Sequence, residues 1–437
     1  MPEDLRALDL RHLWHPYTPI DAFEADDDVP VIARAEGVRL YDAAGRAWLD
    51  GISSWWAVNL GHGHPRIVEA IRAQAGTLQH SILGGMSHPN AARLAARLAA
   101  AAPGALNRVL FASDGASAVE AALKIALQYR TNRGEAGRDR FVSLADAYHG
   151  DTLGAMGPGH LPGFHRPFEK VLTPAFRAAS PHCFHCPCGL APETCDVECF
   201  ASMAEAVRQN ADRVTAVIVE PLCQGAAGMR IYPAAYLRRL RALCDETGAL
   251  LIADEIAVGF GRTGKLFACE HAGIAPDILC LGKALTGGAL PMSATVVTDA
   301  VYDTFRNTRE RDRTFYHGHT FCGNPIAAAA ALAALDVFAG EKIVEQARPA
   351  MDALAAGIAD LGARPPVARA RALGMMGVLE IAPEAGGEDA AKATARKALA
   401  RDLFIRPLDN IVYLWPPLVT SKEDIGKMLT RLADSLP

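Results

Sequence analysis

The chain has 437 residues, of which half are hydrophobic and 21% are charged, and its formal net charge is -5. This length is sufficient for one large domain with an extensive core and a second, smaller domain. Acidic and basic residues are interspersed, which argues against nucleic acid or an anionic membrane as partners and favours small-molecule substrates. The first thirteen residues lack the apolar stretch of a signal peptide, and no later run is long enough to span a bilayer, so we expect a cytoplasmic protein.

Residues 1–65 are expected to pack as an N-terminal segment against a small C-terminal domain. Two adjacent tryptophans, Trp55 and Trp56, follow Ser53 and Ser54 in this segment. They are either core aromatics or the wall of a pocket for an apolar substrate. Because neighbours in sequence do not both face one core, at least one of them is expected to face something else.

Residues 66–338 are expected to form the large domain. From about Arg108 to Thr298, short apolar runs alternate with helical patterns, which is typical of buried strands joined by helical crossovers. Strands are predicted at Arg108–Ala112, Arg140–Leu144, Thr215–Val219, Ala249–Ala253, Ile278–Leu281 and Ala294–Val297. Helices are predicted at Ser117–Arg130, Pro233–Thr247 and Pro325–Phe338. The pattern indicates an α/β fold, with a large doubly wound domain around a mostly parallel sheet. Residues 339–437 change in pattern and are expected to form a smaller α+β domain.

Two side chains of opposite charge follow neighbouring predicted strands. Asp254 and Lys283 would both reach the carboxyl edge of the sheet, where open α/β folds bind ligands. An amine that forms a Schiff base and an acid that keeps a pyridine nitrogen protonated are what pyridoxal phosphate requires. A single lysine after a strand is usually a surface residue. The pair in this order, with Gly282 before the lysine and glycines soon after it, is far more specific than either residue.

Two further segments hold candidate cofactor-binding residues. Gly115 and Ala116, within the run Ser113 to Ser117, lie between a strand and a helix, so their N–H groups are candidates to cradle a phosphate. Alone, this run is equally a helix cap. Tyr148 follows the next strand and is either a ring that stacks on a flat cofactor or a packed loop residue.

Several motifs together resemble the class III aminotransferases, a family of fold-type I pyridoxal-phosphate-dependent transferases. They are Asp254-Glu255-Ile256, Gly259-Phe260-Gly261-Arg262-Thr263-Gly264, Leu281-Gly282-Lys283-Ala284 and His319-Thr320-Phe321-Cys322-Gly323-Asn324-Pro325. Further motifs are similar to the branch that transfers an amino group from S-adenosylmethionine to 8-amino-7-oxononanoate in biotin synthesis. These are Leu13-Trp14-His15-Pro16-Tyr17-Thr18, Ser53-Ser54-Trp55-Trp56, and Ile405-Arg406-Pro407 followed by Tyr413.

The resemblance implies catalytic roles and a cofactor site. Lys283 would be the Schiff-base lysine, Asp254 the partner of the pyridinium nitrogen, and Tyr148 the ring that stacks on the cofactor. Gly115 and Ala116 would offer backbone donors to the phosphate. Ala116 stands where relatives of this branch often have serine, so a hydroxyl contact is lost while the backbone donor remains.

The resemblance also implies a substrate pocket and a homodimer with shared active sites. The pocket would be lined by Tyr17, Trp55, Trp56, Gly318 and Tyr413. Arg406, by itself equally a surface arginine, would hold the carboxylate of the keto substrate. Thr320 of the neighbouring subunit would complete the phosphate site, although His319 stands before it where proline is common.

The stretch from Pro181 to Cys199 does not belong to this pattern and is interpreted as an insertion. It holds Cys183, Cys186, Cys188, Cys195 and Cys199. Ten cysteines in a chain of this size do not indicate a disulfide scaffold. The cluster is either a zinc or iron–sulfur site or a loop of free thiols, because the spacing fits no single zinc template. Any such metal would be structural or regulatory.

Three alternatives stay open. The first is another class III aminotransferase whose amino donor is an ω-amino acid, a diamine or lysine. The second is a fold-type I aminomutase, which keeps Lys283 and Asp254 but needs no separate donor. The third is a metal-sensing or scaffold protein that uses only the cysteine segment, against which the intact Lys283, Asp254 and Tyr148 argue.

Overall fold

The central sheet of the protein has seven strands. A computed structural model describes residues 4–26, 28–191 and 194–437. In spatial order the strands are Leu106–Ala112, Ser293–Thr298, Ile278–Leu281, Leu250–Asp254, Val214–Val219, Arg140–Leu144 and Phe176–Ala178. All six strands predicted from apolar runs are present, and their ends differ from the prediction by at most two residues. Phe176–Ala178 was not predicted, because a strand of this length is too short to show a period.

The sheet is mostly parallel, as predicted, with one antiparallel strand. Ser293–Thr298 runs antiparallel to both of its neighbours. The segment between it and Ile278–Leu281 is too short for the crossover that a parallel strand requires. The other strand pairs are parallel, so the remaining six strands point in one direction. Their carboxyl ends therefore share one edge of the sheet.

The sheet is buried on both faces. In the strand Val214–Val219, Ala216 and Ile218 pack with the cluster that includes the helix Gly115–Asn132, whereas Val217 and Val219 pack in the larger core cluster. This alternation is the period of a strand with two covered faces. The helices of this region are Pro65–Ala75, Pro89–Ala101, Gly115–Asn132, Leu153–Met156, Pro162–His165, Phe200–Arg208, Ala234–Thr247, Asp299–Tyr302 and Pro325–Gly340.

The two ends of the chain share a second sheet. The strands Ile32–Glu36, Arg39–Asp42 and Ala47–Asp50 form an antiparallel ladder, and Leu403–Phe404 adds to it in parallel. Two helices, Leu5–His12 and Ile20–Glu24, precede this ladder. The N-terminal segment therefore pairs directly with the C-terminal region, while the domain boundaries at 65 and 338 stay a prediction.

The C-terminal region has a three-stranded antiparallel sheet of its own. Its strands are Val367–Ala372, Gly377–Ile381 and Ile411–Leu414. Its helices are Ile343–Gln346, Arg348–Gly362, Gly387–Ala400 and Lys422–Ala433. This mixture agrees with the predicted α+β character. No helix in the described part of the chain is long and apolar enough to cross a membrane.

A buried arginine joins these regions. Arg262 has no exposed surface, and its Nη1 atom donates to the carbonyl oxygens of Met375 at 2.9 Å and Pro416 at 2.6 Å. Its Nη2 atom donates to Ser53 Oγ at 3.2 Å. Because a buried guanidinium is stable only with such partners, Arg262 fixes the position of the tryptophan segment relative to the central sheet.

Candidate active site

A cavity of about 460 Å³ opens at the carboxyl edge of the central sheet. Its lining comes mainly from five segments that lie at the end of a strand of that sheet or within a few residues after it. These segments contain Asp114–Ala116, Tyr148–Thr152, Glu220 with Ala226, Asp254–Val258, and Lys283. The fold therefore brings together the residues that the sequence predicted to share one edge.

Asp254 is a buried carboxylate held on both oxygens. Its side chain ends the strand Leu250–Asp254 and belongs to a residue that is 5% exposed. Oδ1 accepts the N–H of Ile256 at 3.1 Å, and Oδ2 lies 2.8 Å from Nδ1 of the buried His149. The other ring nitrogen of His149, Nε2, is buried without a partner among the described residues. The carboxylate is thus fixed at the cavity wall through both of its oxygens.

Lys283 is half-buried and lies in a strained part of the backbone. It follows the strand Ile278–Leu281, and its φ angle of 44° lies in the left-handed region that side chains disfavour. Its Nζ atom lies 5.4 Å from the centre of the Trp56 ring. Burial lowers the pKa of the Lys283 amine, against the opposing effect of Asp254 and Glu220. A lowered pKa enlarges the neutral, nucleophilic fraction at a given pH.

The N-terminus of the helix Gly115–Asn132 faces the same cavity. Asp114 caps the helix by accepting the N–H of Ser117 at 2.9 Å. The first helical N–H groups, at Gly115 and Ala116, have no intrahelical partners because they begin the helix. A Cβ atom at Gly115 would come within 2.9 Å of Ile256, and one at Gly150 would collide with Ala116. The cradle is therefore closely packed and suits an anion.

Tyr148 lies on the wall beside this cradle. Its ring stacks on His165, with 6.0 Å between the ring centres and 27° between the planes. Its backbone N–H donates to Glu220 Oε1 at 3.3 Å. Burial raises the pKa of the Tyr148 hydroxyl, so the ring stays neutral. Tyr148 is thus a flat, uncharged surface of the cavity.

Glu220 is a cavity residue that the sequence reasoning missed. It directly follows the strand Val214–Val219, is 6% exposed, and accepts the N–H of Gly225 at 2.9 Å. Burial raises the pKa of this carboxyl to about 7. Its position at a strand end was the available signal. His149 was likewise overlooked, although it directly follows Tyr148.

The two tryptophans face different surroundings, as their adjacency predicted. Residues Ser53 to Trp56 all have positive φ angles, so this segment is a left-handed turn. Trp56 is buried, stacks on Trp415 at 4.9 Å and lines the cavity, and its Nε1 atom donates to Tyr413 Oη at 3.2 Å. Trp55 is 39% exposed. Left-handed residues are costly, and no local pattern of residue types predicts this turn.

Trp55 and Tyr17 pack together with Arg406 beside the cavity. The Arg406 guanidinium lies 4.2 Å from the centre of the Trp55 ring, and its Nη2 atom donates to the carbonyl oxygen of Tyr17 at 2.7 Å. Tyr17 packs edge-on against Trp55 and donates its hydroxyl hydrogen to Asp151, which lines the cavity. Burial and this contact raise the pKa of Tyr17 to about 12. These predicted pocket residues are therefore brought together next to the cavity.

The comparison with known proteins identifies the family. The profile described as Aminotransferase class-III matches residues 22–436. The chain belongs to the class III aminotransferase family. Class III aminotransferases depend on pyridoxal phosphate, and the structure has the predicted fold-type I architecture.

Similar proteins share the full length of this class III chain. An adenosylmethionine-8-amino-7-oxononanoate aminotransferase from Nitratidesulfovibrio vulgaris is 43% identical, over 97% of this chain and 80% of that protein. The protein of that name from Synechococcus elongatus is 42% identical, over 97% of this chain and 98% of its own. A crystal structure of the protein of that name from Methanocaldococcus jannaschii has a TM-score of 0.93, with 35% identity and coverage of 99% and 98%. An omega transaminase from Pseudomonas jessenii has a TM-score of 0.93 at 26% identity.

The cavity of this class III enzyme fits pyridoxal phosphate on three counts. Lys283 supplies a buried amine, Asp254 supplies a fixed carboxylate, and Gly115 and Ala116 supply unpaired N–H groups in a closely packed cradle. An amine for the aldehyde, an acid for the ring nitrogen and donors for the phosphate are the groups that this cofactor requires.

The predicted site residues Gly318 and Thr320 lie away from the cavity of their own chain. Gly318 and Thr320 are exposed, and neither lines the cavity. They lie in the segment between Phe305 and Asn324, on the side where Phe321 packs edge-on against His80. The assignment of Thr320 to a neighbouring subunit stays a prediction, as does the substrate role of Gly318.

The cysteine segment forms a separate cavity of about 220 Å³. Cys183, Cys186, Cys195 and Cys199 line it, while Cys188 is exposed, and all five are free thiols. Within residues 4–26, 28–191 and 194–437, no three His, Cys, Asp or Glu side chains already form a metal-binding group. The predicted zinc or iron–sulfur site therefore has no preformed geometry and stays a prediction.

Proposed function

We propose that the protein transfers an amino group from S-adenosylmethionine to 8-amino-7-oxononanoate and so makes 7,8-diaminononanoate for biotin synthesis. The observation that carries this proposal is the joining of the cofactor cavity to the aromatic group of Trp55, Trp56, Tyr17 and Tyr413, with Arg406 beside it. An apolar wall with one cation suits a keto acid with a long hydrocarbon chain. The relatives that carry the name of this enzyme support the same substrates.

Pyridoxal phosphate, when bound, supplies the electron sink that makes the carbon–hydrogen bond next to the amine labile. The side chains of the protein bind the cofactor and substrates and move the proton. Lys283 would hold the cofactor through its amine, and its Nζ atom, when free and neutral, would accept and return the proton of the carbon next to the substrate amine. The lowered pKa of Lys283 makes this base available.

Asp254 and the N-terminus of the helix Gly115–Asn132 would both hold the cofactor. Asp254, held by His149, would keep the proton on the ring nitrogen because a fixed negative charge favours the protonated form. Gly115 and Ala116 would bind the phosphate through their N–H groups. Tyr148, which lines the cavity, would offer its ring for stacking on the cofactor.

The residues that bind substrate serve both half-reactions, the transfer of the amino group from the donor and its transfer to the keto acid. Trp56 packs against the hydrocarbon part of the keto acid, and Arg406 binds its carboxylate through charge-assisted hydrogen bonds. Burial lowers the pKa of Arg406, but its guanidinium remains charged in any physiological condition. Arg406 therefore acts as an anchor and not as an acid.

We further propose that the active enzyme is a homodimer in which Thr320 of a second copy completes the phosphate site. Ile82, Met86, Tyr316 and Phe321 are large exposed hydrophobic residues in the two segments that flank this position. Asn324 joins these segments by donating to the carbonyl oxygen of Gln79 at 3.0 Å. A second copy covering these side chains would remove their apolar surface from water. Sedimentation analysis distinguishes the dimer from a monomer, which would contradict this part of the proposal.

A second candidate is amino transfer from an ω-amino acid, a diamine or lysine. It is favoured by the close structural likeness to the omega transaminase from Pseudomonas jessenii. The absorbance spectrum of the cofactor-loaded enzyme separates the two, when each donor is added alone without keto acid. Loss of the visible band of the lysine-bound cofactor with S-adenosylmethionine supports the first proposal. Loss only with another amine supports the second, and the absence of any such band contradicts the role of Lys283.

A further inference from the structure

The cysteine segment, residues 181–199, contains a defined cavity that has no role in amino transfer. It lies between the strand Phe176–Ala178 and the helix Phe200–Arg208. Four of its cysteines and His182 line a cavity of about 220 Å³, which Pro233 and Ala235 close on the opposite side. Side chains that are far apart along the segment thus line one small cavity.

The thiols of this segment are close to one another. Cys183, Cys186, Cys195 and Cys199 line the same cavity of about 220 Å³, and Cys188 lies two residues from Cys186 in sequence. Cys195 Sγ accepts the N–H of Val197 at 3.2 Å, so this thiol is already oriented. Such a density of free thiols is uncommon at random and suits a soft, thiophilic cation.

The walls that carry these thiols are fixed to the rest of the fold. The N–H of Cys183 donates to the carbonyl oxygen of Ile231 at 3.5 Å, and Cys199 directly precedes a helix. Asp196 pairs with Arg239 at 2.8 Å. Because Cys183 and Cys199 are both attached to the large core, a cation bound between the thiols would link two fixed parts of the segment.

We propose that the cysteine segment binds one zinc ion through four of its side chains, chosen from Cys183, Cys186, Cys195, Cys199 and the adjacent Cys188. Zinc prefers four tetrahedral ligands, and thiolates are its usual ligands in structural sites. No such group is preformed among the described residues. Binding therefore requires the four cysteines that line the cavity to rotate their side chains until the sulfur atoms surround one point.

The site has a structural consequence at the edge of the active-site region. His185 lies 2.8 Å from Glu380 of the strand Gly377–Ile381, and Arg371 packs on the ring of Phe184. Arg371 in turn donates to the carbonyl oxygen of Met229 at 2.9 Å. A cation that orders the segment would therefore also order its contact with the C-terminal sheet.

The test is to titrate the reduced, chelator-treated holoenzyme with Co²⁺ and Zn²⁺. Cobalt bound by several thiolates gives an intense charge-transfer band in the near ultraviolet, and its amplitude reports occupancy. We expect saturation at one equivalent of cobalt, displacement of the band by one equivalent of zinc, and one equivalent of zinc by elemental analysis after dialysis. The visible band of the lysine-bound cofactor reports independently that the protein remains folded.

Two variants make the result specific. The double substitution Cys183→Ser with Cys199→Ser should abolish the cobalt band and lower retained zinc at least tenfold, with the cofactor band intact. Cys322→Ser, a half-buried thiol outside the segment, should retain both. Retention of less than a tenth of an equivalent of zinc by the parent protein, an unaltered cobalt band in the double variant, or iron with inorganic sulfide in place of zinc would each overturn the proposal.

Discussion

Replacing Asp254 with asparagine removes the fixed negative charge at the cavity wall. The residue is 5% exposed, and its Oδ2 atom lies 2.8 Å from His149 Nδ1. Removing one preorganised electrostatic contact from an active site typically costs about 3–4 kcal/mol of transition-state stabilisation. At about 1.4 kcal/mol per tenfold change, we expect kcat for amino transfer to fall by about 100- to 1000-fold, measured by single-turnover kinetics.

The same substitution should also lower stability, because a hydrogen bond to a charged group contributes about 1.5–3 kcal/mol. Asp277→Asn is the matched control. Asp277 precedes the neighbouring strand at the opposite edge of the sheet, accepts the N–H of Leu251 at 2.7 Å and pairs with Arg241 at 2.8 Å. It should lose similar unfolding free energy in urea while kcat stays within about threefold of the parent. Equal kinetic losses in both variants, or a normal kcat in Asp254→Asn, would refute the electrostatic role.

Three further substitutions test other parts of the site. Burial raises the pKa of Glu220 from 4.5 to about 7, so the native state holds one proton more than the unfolded state between these pH values, and stability falls as pH rises through them. Glu220→Gln should therefore gain about 3–4 kcal/mol relative to the parent between pH 4.5 and 8. An equal difference in the free energy of unfolding in urea at both pH values would contradict this. Gly150→Ala, at a φ of 117° and against Ala116, should weaken cofactor binding at least tenfold by absorbance titration, whereas Gly134→Ala, at a φ of 79° with open space, should not. Trp56→Ala should cost about 3–5 kcal/mol of stability because the side chain is buried. Trp55→Ala should change stability by less than about 1 kcal/mol and chiefly raise KM. Equal effects of the two substitutions on thermal unfolding would contradict the assignment of Trp56 to the core and Trp55 to the exposed pocket wall.

Much of the fold was predictable because buried strands leave apolar runs in the sequence. The strands Arg140–Leu144 and Ile278–Leu281 were predicted with the ends that the structure has. Lys283 and Asp254 followed from the rule that strand ends at one edge lie together. The antiparallel direction of Ser293–Thr298 was not predicted, because it depends on the length of the connecting segment and not on the composition of the strand.

Features that depend on distant partners were not predictable. The left-handed turn from Ser53 to Trp56 is held by contacts such as Ser53 Oγ to the carbonyl oxygen of Trp415 at 2.6 Å, and no local signal in the sequence reveals them. The support of Asp254 by His149 likewise joins residues that are far apart in sequence. The cysteine segment was recognised by its composition, but composition alone did not indicate which thiols share a cavity.

The central claim is that the cavity around Lys283 transfers the amino group of S-adenosylmethionine to a keto acid. The most direct measurement is a reaction of the cofactor-loaded enzyme with S-adenosylmethionine and 8-amino-7-oxononanoate, followed by mass spectrometry of the products, with Lys283→Ala as the control. We expect 7,8-diaminononanoate to accumulate in proportion to the S-adenosylmethionine consumed, and only with the parent enzyme. Absence of this product, or equal formation by Lys283→Ala, would contradict the account.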